Sequence, residues 1–328
     1  MIIKSAGKTD IGLVRKLNED SIRLAPSHNL FIVCDGMGGH SAGEVASATA
    51  CDIVRSLYCH HYAGLLKDDR LKLPRIFPPS TDVITKAVRI ANHWIHKKAS
   101  DNSELAGMGT TIVAVAIEED IITILHVGDS RIYKFANKKL TPLTIDHSWA
   151  AELEQNEKIS AEEAKNLVNR NVITRALGVK ASVDIDVAVR KITENEIYIL
   201  CSDGLCGFVD DGDIRDVTVA CNEDINKICD NLVQLANDRG GSDNVSVAAI
   251  SVAGKVDSSQ LPELDTVTVS GESVDYYEVE EEWAAIAAET SIENEETDAI
   301  SNKKGFSYLS VVFIIILLTA IFYIIFKN

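Results

Sequence analysis

Apolar and polar positions follow two different periods along the first 253 residues. Short apolar runs, rich in β-branched residues and closed by turn residues, predict strands at 21–25, 30–35, 110–117, 121–128, 131–135, 183–189, 196–202 and 244–252. Turns such as Glu118-Glu119-Asp120 and Asn137-Lys138 are too short to hold a crossover helix, so the strands they join pair antiparallel. Longer stretches predict helices over Ala42–His60, Asp82–Lys98, Ser148–Asn156, Ala161–Leu167 and Asn222–Asp238. Helices intrude between groups of strands, so the expected class is α+β, with antiparallel sheet packed against helices. The proline-rich loop 67–80 reads as an exposed excursion.

One stretch breaks this pattern. Residues 308–326, "YLSVVFIIILLTAIFYIIF", contain no charge, glycine or proline. Nineteen residues at about 1.5 Å each give roughly 28 Å of helix, close to the ~30 Å hydrocarbon core of a bilayer. A buried core helix is the alternative, but such helices usually carry a polar stripe and lie inside a domain. The expectation is a transmembrane helix over 306–326 with a short tail at 327–328. It would act as a single-pass C-terminal anchor that leaves the body of the chain in the cytoplasm. Lys303 and Lys304 before it, against Lys327 after it, agree with that orientation. Residues 254–305 read as an acidic linker, with a short helix around Glu280–Glu289; it is either a solvated spacer or a docking motif.

Charge sharpens the division. Of the net −17, −13 falls between Gly254 and Asn302, where 14 acids face only Lys255; residues 1–253 carry −7. That mildly acidic body has no nucleic-acid footprint. The seven cysteines are odd in number and form no C-x-x-C pair, so reduced, buried thiols fit better than a secreted disulfide framework. The N-terminus lacks the apolar core of a signal peptide.

Candidate chemistry begins at "FIVCDGMGGH", residues 31–40, where an apolar strand stops at Asp35 among small residues. The design recurs: "ILHVGDSR" runs into Asp129, "IYILCSDG" into Asp203, and "GGSDNVSVAAI" places Asp243 just before a strand. Each alone could be a turn aspartate or a helix cap. Together they point to a carboxylate cluster, which would raise its own pKa values unless a cation sits within it. All-oxygen ligands favour Mg²⁺ or Mn²⁺. Gly36 would let a backbone carbonyl approach an ion. Two ions could activate water and hold a phosphate, and an arginine fork would clamp its oxygens. Arg15, ahead of Asn18-Glu19-Asp20, is a candidate clamp, although a local Arg–Glu pair in a surface turn is the plainer reading.

With these words goes a resemblance. "RKLNED" (15–20), "VCDGMGGHSAGEVAS" (33–47), "GMGTT" (107–111), "HVGDSRIY" (126–133), "DHSWAAEL" (146–153), "NVITRALG" (171–178), "LCSDGL" (200–205) and "GGSDNVSV" (240–247) occur in order. The chain resembles a bacterial-type metal-dependent serine/threonine protein phosphatase of the 2C type, the PPM family. The resemblance implies a β-sandwich of two antiparallel sheets flanked by helices, over a catalytic domain at 1–253 with a flap at 146–178. It implies a centre of two Mn²⁺ or Mg²⁺ ions. Asp35 would bridge both ions, the Gly36 carbonyl would bind one, and Asp203 and Asp243 would complete the ligands of the other. Glu19 would act through water, Asn18, Asp20 and Asn244 would support the loops, Arg15 would clamp phosphate, and Asp129 would help hold a third ion. The nucleophile would be metal-activated hydroxide, attacking phosphoserine or phosphothreonine. Partners would be phosphorylated proteins, among them a Ser/Thr kinase and its substrates, with the membrane reached through 308–326 and no nucleic acid.

Departures accompany the match. Met37 stands where eukaryotic relatives carry a histidine after the Asp-Gly pair, so His40 is the nearby candidate acid. Leu167 and Val168 replace the family's usual flap sequence. Two other readings stay open, a catalytically dead phosphoprotein-binding scaffold and a small-molecule phosphohydrolase. The first is opposed by the intact set Asp35, Asp203, Asp243 and Arg15.

Overall fold

The computed structural model describes residues 1–39, 42–68, 77–155, 172–254 and 263–271, together with positions 159, 163 and 283. Two antiparallel sheets carry the fold. Strands β1 (Ile2–Asp10), β11 (Val245–Ala253), β10 (Glu196–Cys201), β7 (Arg131–Ala136) and β8 (Lys139–Pro142) lie in that order in one five-stranded sheet. The seven-stranded sheet runs β12 (Leu264–Val269), β9 (Ile185–Lys191), β6 (Ile121–Val127), β5 (Ile112–Glu118), β3 (Leu30–Met37) and β2 (Asp20–Ala25), with β4 (Gly109–Thr110) paired to β3 off that path.

Alternation along the strands divides the core into layers. On β10, Tyr198 and Leu200 join Phe31, Val33, Val113 and Val115 between the two sheets. Ile197, Ile199 and Cys201 face the other way, onto Ile228, Leu232 and Val233. Those last three belong to a helix over Ile225–Asp238, which with a helix over Asp211–Ala220 covers the outer face of the five-stranded sheet. Helices α1 (Ala42–His60) and α3 (Pro79–Asp101), with the short α2 (Tyr62–Lys67) between them, pack on the seven-stranded side. Both faces of the central strands are therefore buried, which is why they read as nearly continuous apolar runs. All seven cysteines are free thiols.

Several expectations shift for identifiable reasons. Strand β1 was not anticipated, because "IIKSAGKTD" buries only Ala6 and draws its order from a nine-residue pairing with β11 over two hundred residues away. The helix expected from Asn222 starts at Ile225. Asn222 and Glu223 are left-handed, with φ 48° and 62°, and Asp224 caps the helix by accepting from the Asn226 and Lys227 amides. The strand expected over 110–117 is broken at Thr111.

The stretch read as linker from 254 also needs correction, since Leu264–Val269 forms an edge strand on β9. Its alternating Thr266-Val267-Thr268-Val269 is a short strand signal, masked by the acidic stretch in which it sits. The expected helix Ala161–Leu167, apart from position 163, the substituted flap positions Leu167 and Val168, His40 and the apolar stretch 308–326 lie outside the described residues. Among the described residues, no helix is long and apolar enough to cross a membrane.

Candidate metal centre

Strand ends from both sheets bring the anticipated carboxylates together. Asp35 lies near the end of β3, opposite Asp20 on β2. Two threonines pin its backbone. The Asp35 amide donates to Thr111 Oγ1 at 3.0 Å, and its carbonyl accepts from the Thr111 amide at 2.8 Å and from Thr110 Oγ1 at 2.9 Å. Thr111 Oγ1 also lies 2.7 Å from Ser130 Oγ, which ties Asp35 to the loop that carries Asp129. The break between β4 and β5 is thus where the sheet lends a side chain to the site.

Gly36 follows in a space with no room for a side chain. A Cβ there would overlap the carbonyl oxygens of Gly43 and Glu19. One at Gly43 would lie 2.5 Å from Glu19 Oε1. The first turn of α1 therefore packs directly against the acidic loop.

Asp203 follows β10, one residue beyond the buried Ser202, whose hydroxyl donates to Asp20 Oδ2 at 2.8 Å. Asp243 immediately precedes the buried Asn244, which stitches the loop between β1 and β2. The Asn244 Nδ2 donates to the Ile11 and Leu17 carbonyls, each at 2.9 Å, and its Oδ1 accepts from the Glu19 amide at 2.8 Å. Asn18 Oδ1 accepts from the Asp20 amide, and its Nδ2 donates to Thr9 Oγ1. Arg15 does not pair with Glu19 as a local turn would have it. Its Nη2 lies 2.8 Å from Asp243 Oδ2 at the open rim.

Electrostatics show what the cluster lacks. Removal from water pushes the Asp35 carboxyl well above the usual carboxylate range, and Asp20, Asp203 and Asp129 push it further. Burial carries Asp20 to about 7, with Asp203 and Asp243 adding to it. Burial likewise carries Asp129 to about 7, with Asp203 and Asp146 adding. Asp203 is raised by burial and by Asp243, although its hydrogen bond with Asp35 pulls it back. Burial also raises Glu19, against the lowering influence of Arg15.

Carboxylates crowded in this way hold protons unless a cation replaces them. Asp20 Oδ1 and Asp129 Oδ1 are buried with no hydrogen-bond partner among the described residues. Crowded hard oxygens, orphaned acceptors and a bare Gly36 backbone together fit Mg²⁺ or Mn²⁺. Asp35, Asp203, Asp243, Asp129 and the Gly36 carbonyl could hold such ions.

A second group of potential ligands escaped sequence reasoning. One ligand atom from each of His126, His147 and Asp186 lies within 4.8 Å of the others. Hydrogen bonds account for this group. His147 Nδ1 accepts from the Gly128 amide at 3.1 Å, while its Nε2 meets Asp186 Oδ2 at 3.1 Å. His126 Nε2 lies 2.8 Å from the Gly128 carbonyl oxygen. Arg175 Nη1, 3.1 Å from Asp186 Oδ1, supplies the positive charge.

The cluster therefore works as a brace that holds Gly128, next to Asp129, against the base of the 146–178 region. Arg131 adds a two-pronged bond to Asp146, at 2.8 and 2.7 Å. The words "DHS" and "TRA" held the signal for His147 and Arg175. Asp186 had none, because it looks like any outward-facing polar residue on an alternating strand.

Comparison with known proteins agrees with this geometry. The family model for Protein phosphatase 2C matches residues 15–244. The chain is 33% identical over 246 residues to the serine/threonine phosphatase stp of Listeria welshimeri, covering 74% of this chain and 93% of that protein. It is similar in structure to the Mycobacterium tuberculosis serine/threonine phosphatase PstP/Ppp, with a TM-score of 0.68 and 31% identity over 77% of this chain and 100% of that one. The catalytic domain of PstP in complex with two manganese ions matches with a TM-score of 0.63 and 32% identity, over 77% of this chain and 99% of that one.

Proposed function

Because the chain belongs to the protein phosphatase 2C family, and is a serine/threonine protein phosphatase dependent on a dinuclear Mn²⁺/Mg²⁺ centre, we propose how its own residues divide that work and where in the cell it is done. Asp35, the Gly36 carbonyl, Asp203 and Asp243 would hold the two ions. Asp129 would help to hold a third, and Glu19 would act through water. Arg15 turns from Asp243 to the substrate phosphate, where its fork can grip two oxygens. Asn18, Asp20 and Asn244 hold the loop from which Arg15 reaches. His40 is the candidate donor of a proton to the leaving seryl or threonyl oxygen. Bound ions supply neutralising charge and lower the pKa of water.

The observation that supports this reading best is the crowding of buried carboxylates, with Asp35 opposite Asp20 and with Asp20 Oδ1 and Asp129 Oδ1 lacking hydrogen-bond partners among the described residues. The test is turnover of a phosphothreonine peptide with Mn²⁺, with Mg²⁺ and with chelator, using Asp243→Asn as the matched control. Activity that requires the metal and collapses in the variant supports the assignment; full activity in Asp243→Asn removes that residue from the site.

The same proposal places the enzyme at the cytoplasmic face of a membrane, anchored through 308–326 and opposing a Ser/Thr kinase. The charge-free 19-residue run supports it, as does the gain in local concentration that tethering gives near membrane-bound substrates. Fractionation that leaves the full chain soluble would refute the anchor. Equal turnover of a membrane-reconstituted phosphorylated kinase by the full chain and by one lacking 306–328 would refute the role of tethering.

A further inference from the structure

Far from the carboxylates, a single tail residue makes contacts that phosphate hydrolysis does not use. Trp283 Nε1 donates to Asp68 Oδ2 at 2.8 Å. Its ring meets His61 edge-on, with centroids 5.8 Å apart and planes at 69°. Beneath it lies Gly64, inside the six-residue α2, where glycine is less favourable than alanine. The indole explains that glycine, because a Cβ at position 64 would lie 2.9 Å from Trp283 Cη2.

The receiving surface is held in place by other contacts. Asp68 is only 9% exposed, and its backbone carbonyl, with that of Leu65, accepts from the buried Lys86 Nζ, each at 3.1 Å. Lys86 is anchored in turn to Asp82 at 2.8 Å. The backbone that carries the carboxylate is thus held by contacts that do not involve the tail, which lowers the ordering cost of binding.

We propose that His61, Gly64 and Asp68 form an indole-binding site whose occupant is Trp283, so that the acidic tail is clamped to the catalytic domain at a fixed point. The site lies just past the C-terminal end of α1. The other end of that 19-residue helix abuts Gly36 and Glu19, and its length is about 28 Å. The clamp point therefore lies about a helix length from the carboxylates. An indole suits the site because it offers a flat apolar face to a bare helix backbone and a single N–H to a fixed carboxylate. The proposal goes beyond the phosphatase reading and depends on neither activity nor membrane binding.

The test uses the full chain in detergent and a glutamate-specific protease. The readout is the cleavage rate at Glu278, Glu280, Glu281 and Glu282, which immediately precede Trp283. Trp283→Ala and Gly64→Ala should each speed cleavage about tenfold, the ratio that corresponds to losing one charge-assisted hydrogen bond or its packing. Trp283→Phe, which keeps a ring but loses the donor, should fall between. Gly64→Ala separates the clamp from simple helix stability. Alanine should raise the thermal midpoint through helix propensity, yet it should loosen the tail. Cleavage of both alanine variants at the native rate, with Gly64→Ala merely more heat-stable, would overturn the proposal.

Discussion

The Asn244 side chain accepts from the Glu19 amide at 2.8 Å and donates to the Leu17 carbonyl at 2.9 Å, bracketing the acidic end of the loop that carries Arg15. With only 4% of its surface exposed, its removal leaves three backbone groups without partners. Each such group costs about 1–3 kcal/mol when it stays dry. Asn244→Ala is expected to lose roughly 2–4 kcal/mol in urea unfolding, together with most of its turnover. Asn244→Asp, which keeps the acceptor and loses both donors, should lose less. Native stability in both would show that the loop is held elsewhere.

At Gly36 the smallest possible change should be severe. A methyl group there overlaps backbone oxygens on two different segments, Gly43 and Glu19, so no rotamer can relieve the clash. Forcing atoms into a close-packed site costs about 1–3 kcal/mol or more. Gly36→Ala should therefore melt lower than the native chain and bind Mn²⁺ more weakly, as read by calorimetric titration. Unaltered Mn²⁺ affinity would mean that the loop moves freely at this point.

Arg15 should act on substrate rather than on the fold. Its side chain is half exposed and bonded only to Asp243 among the described residues, so Arg15→Ala should leave the melting temperature nearly unchanged. Loss of a charge-assisted contact to phosphate should lower kcat/KM for a phosphothreonine peptide about 10- to 100-fold. Arg15→Lys keeps the charge without the planar fork, so it should recover only part of that loss. A melting temperature that falls while kcat/KM holds would reverse the assignment.

Chelated protein should show a distinctive response to pH. Asp20 and Asp129 stand at about 7 without a cation, above the ordinary carboxylate value of about 3.9. A carboxyl raised in the folded state stabilises the fold fully only below its unfolded value. That contribution is lost as pH rises towards the folded value. Between pH 5 and 8 the chelated chain is therefore expected to lose melting temperature, on the order of 5 °C. Saturating Mn²⁺ should remove most of the loss, because the ion takes the place of the protons. A flat profile in chelator, followed by differential scanning calorimetry, would contradict this picture of the cluster.

The carboxylates were legible in the sequence because each sits at an abrupt junction between an apolar strand and a small residue, a local signal. The antiparallel α+β class was legible too, since its strands are short and turn-bounded, whereas the two-sheet sandwich came only from the family resemblance. What the sequence concealed depends on distant partners. Strand β1 has little apolar content of its own and takes its order from β11. Leu264–Val269, read as linker, takes its order from β9. Asp186 bonds to His147, 39 positions away, across a strand where polar residues normally face water. Thr111 was quoted within a motif, but its link to the Asp35 amide appears only when β4 and β5 are seen to part there.

The candidate ligands come from both layers of the sandwich. Asp35 ends a strand of the seven-stranded sheet, while Asp203 and Asp243 flank strands of the five-stranded one. Any ion they share therefore rivets two sheets whose facing surfaces pack through side chains such as Phe31 and Tyr198. A sheet that slides by a fraction of an ångström changes the bite of the rivet. Metal affinity thus becomes a gauge of interior packing, and a substitution deep between the sheets can silence the enzyme without touching its mouth.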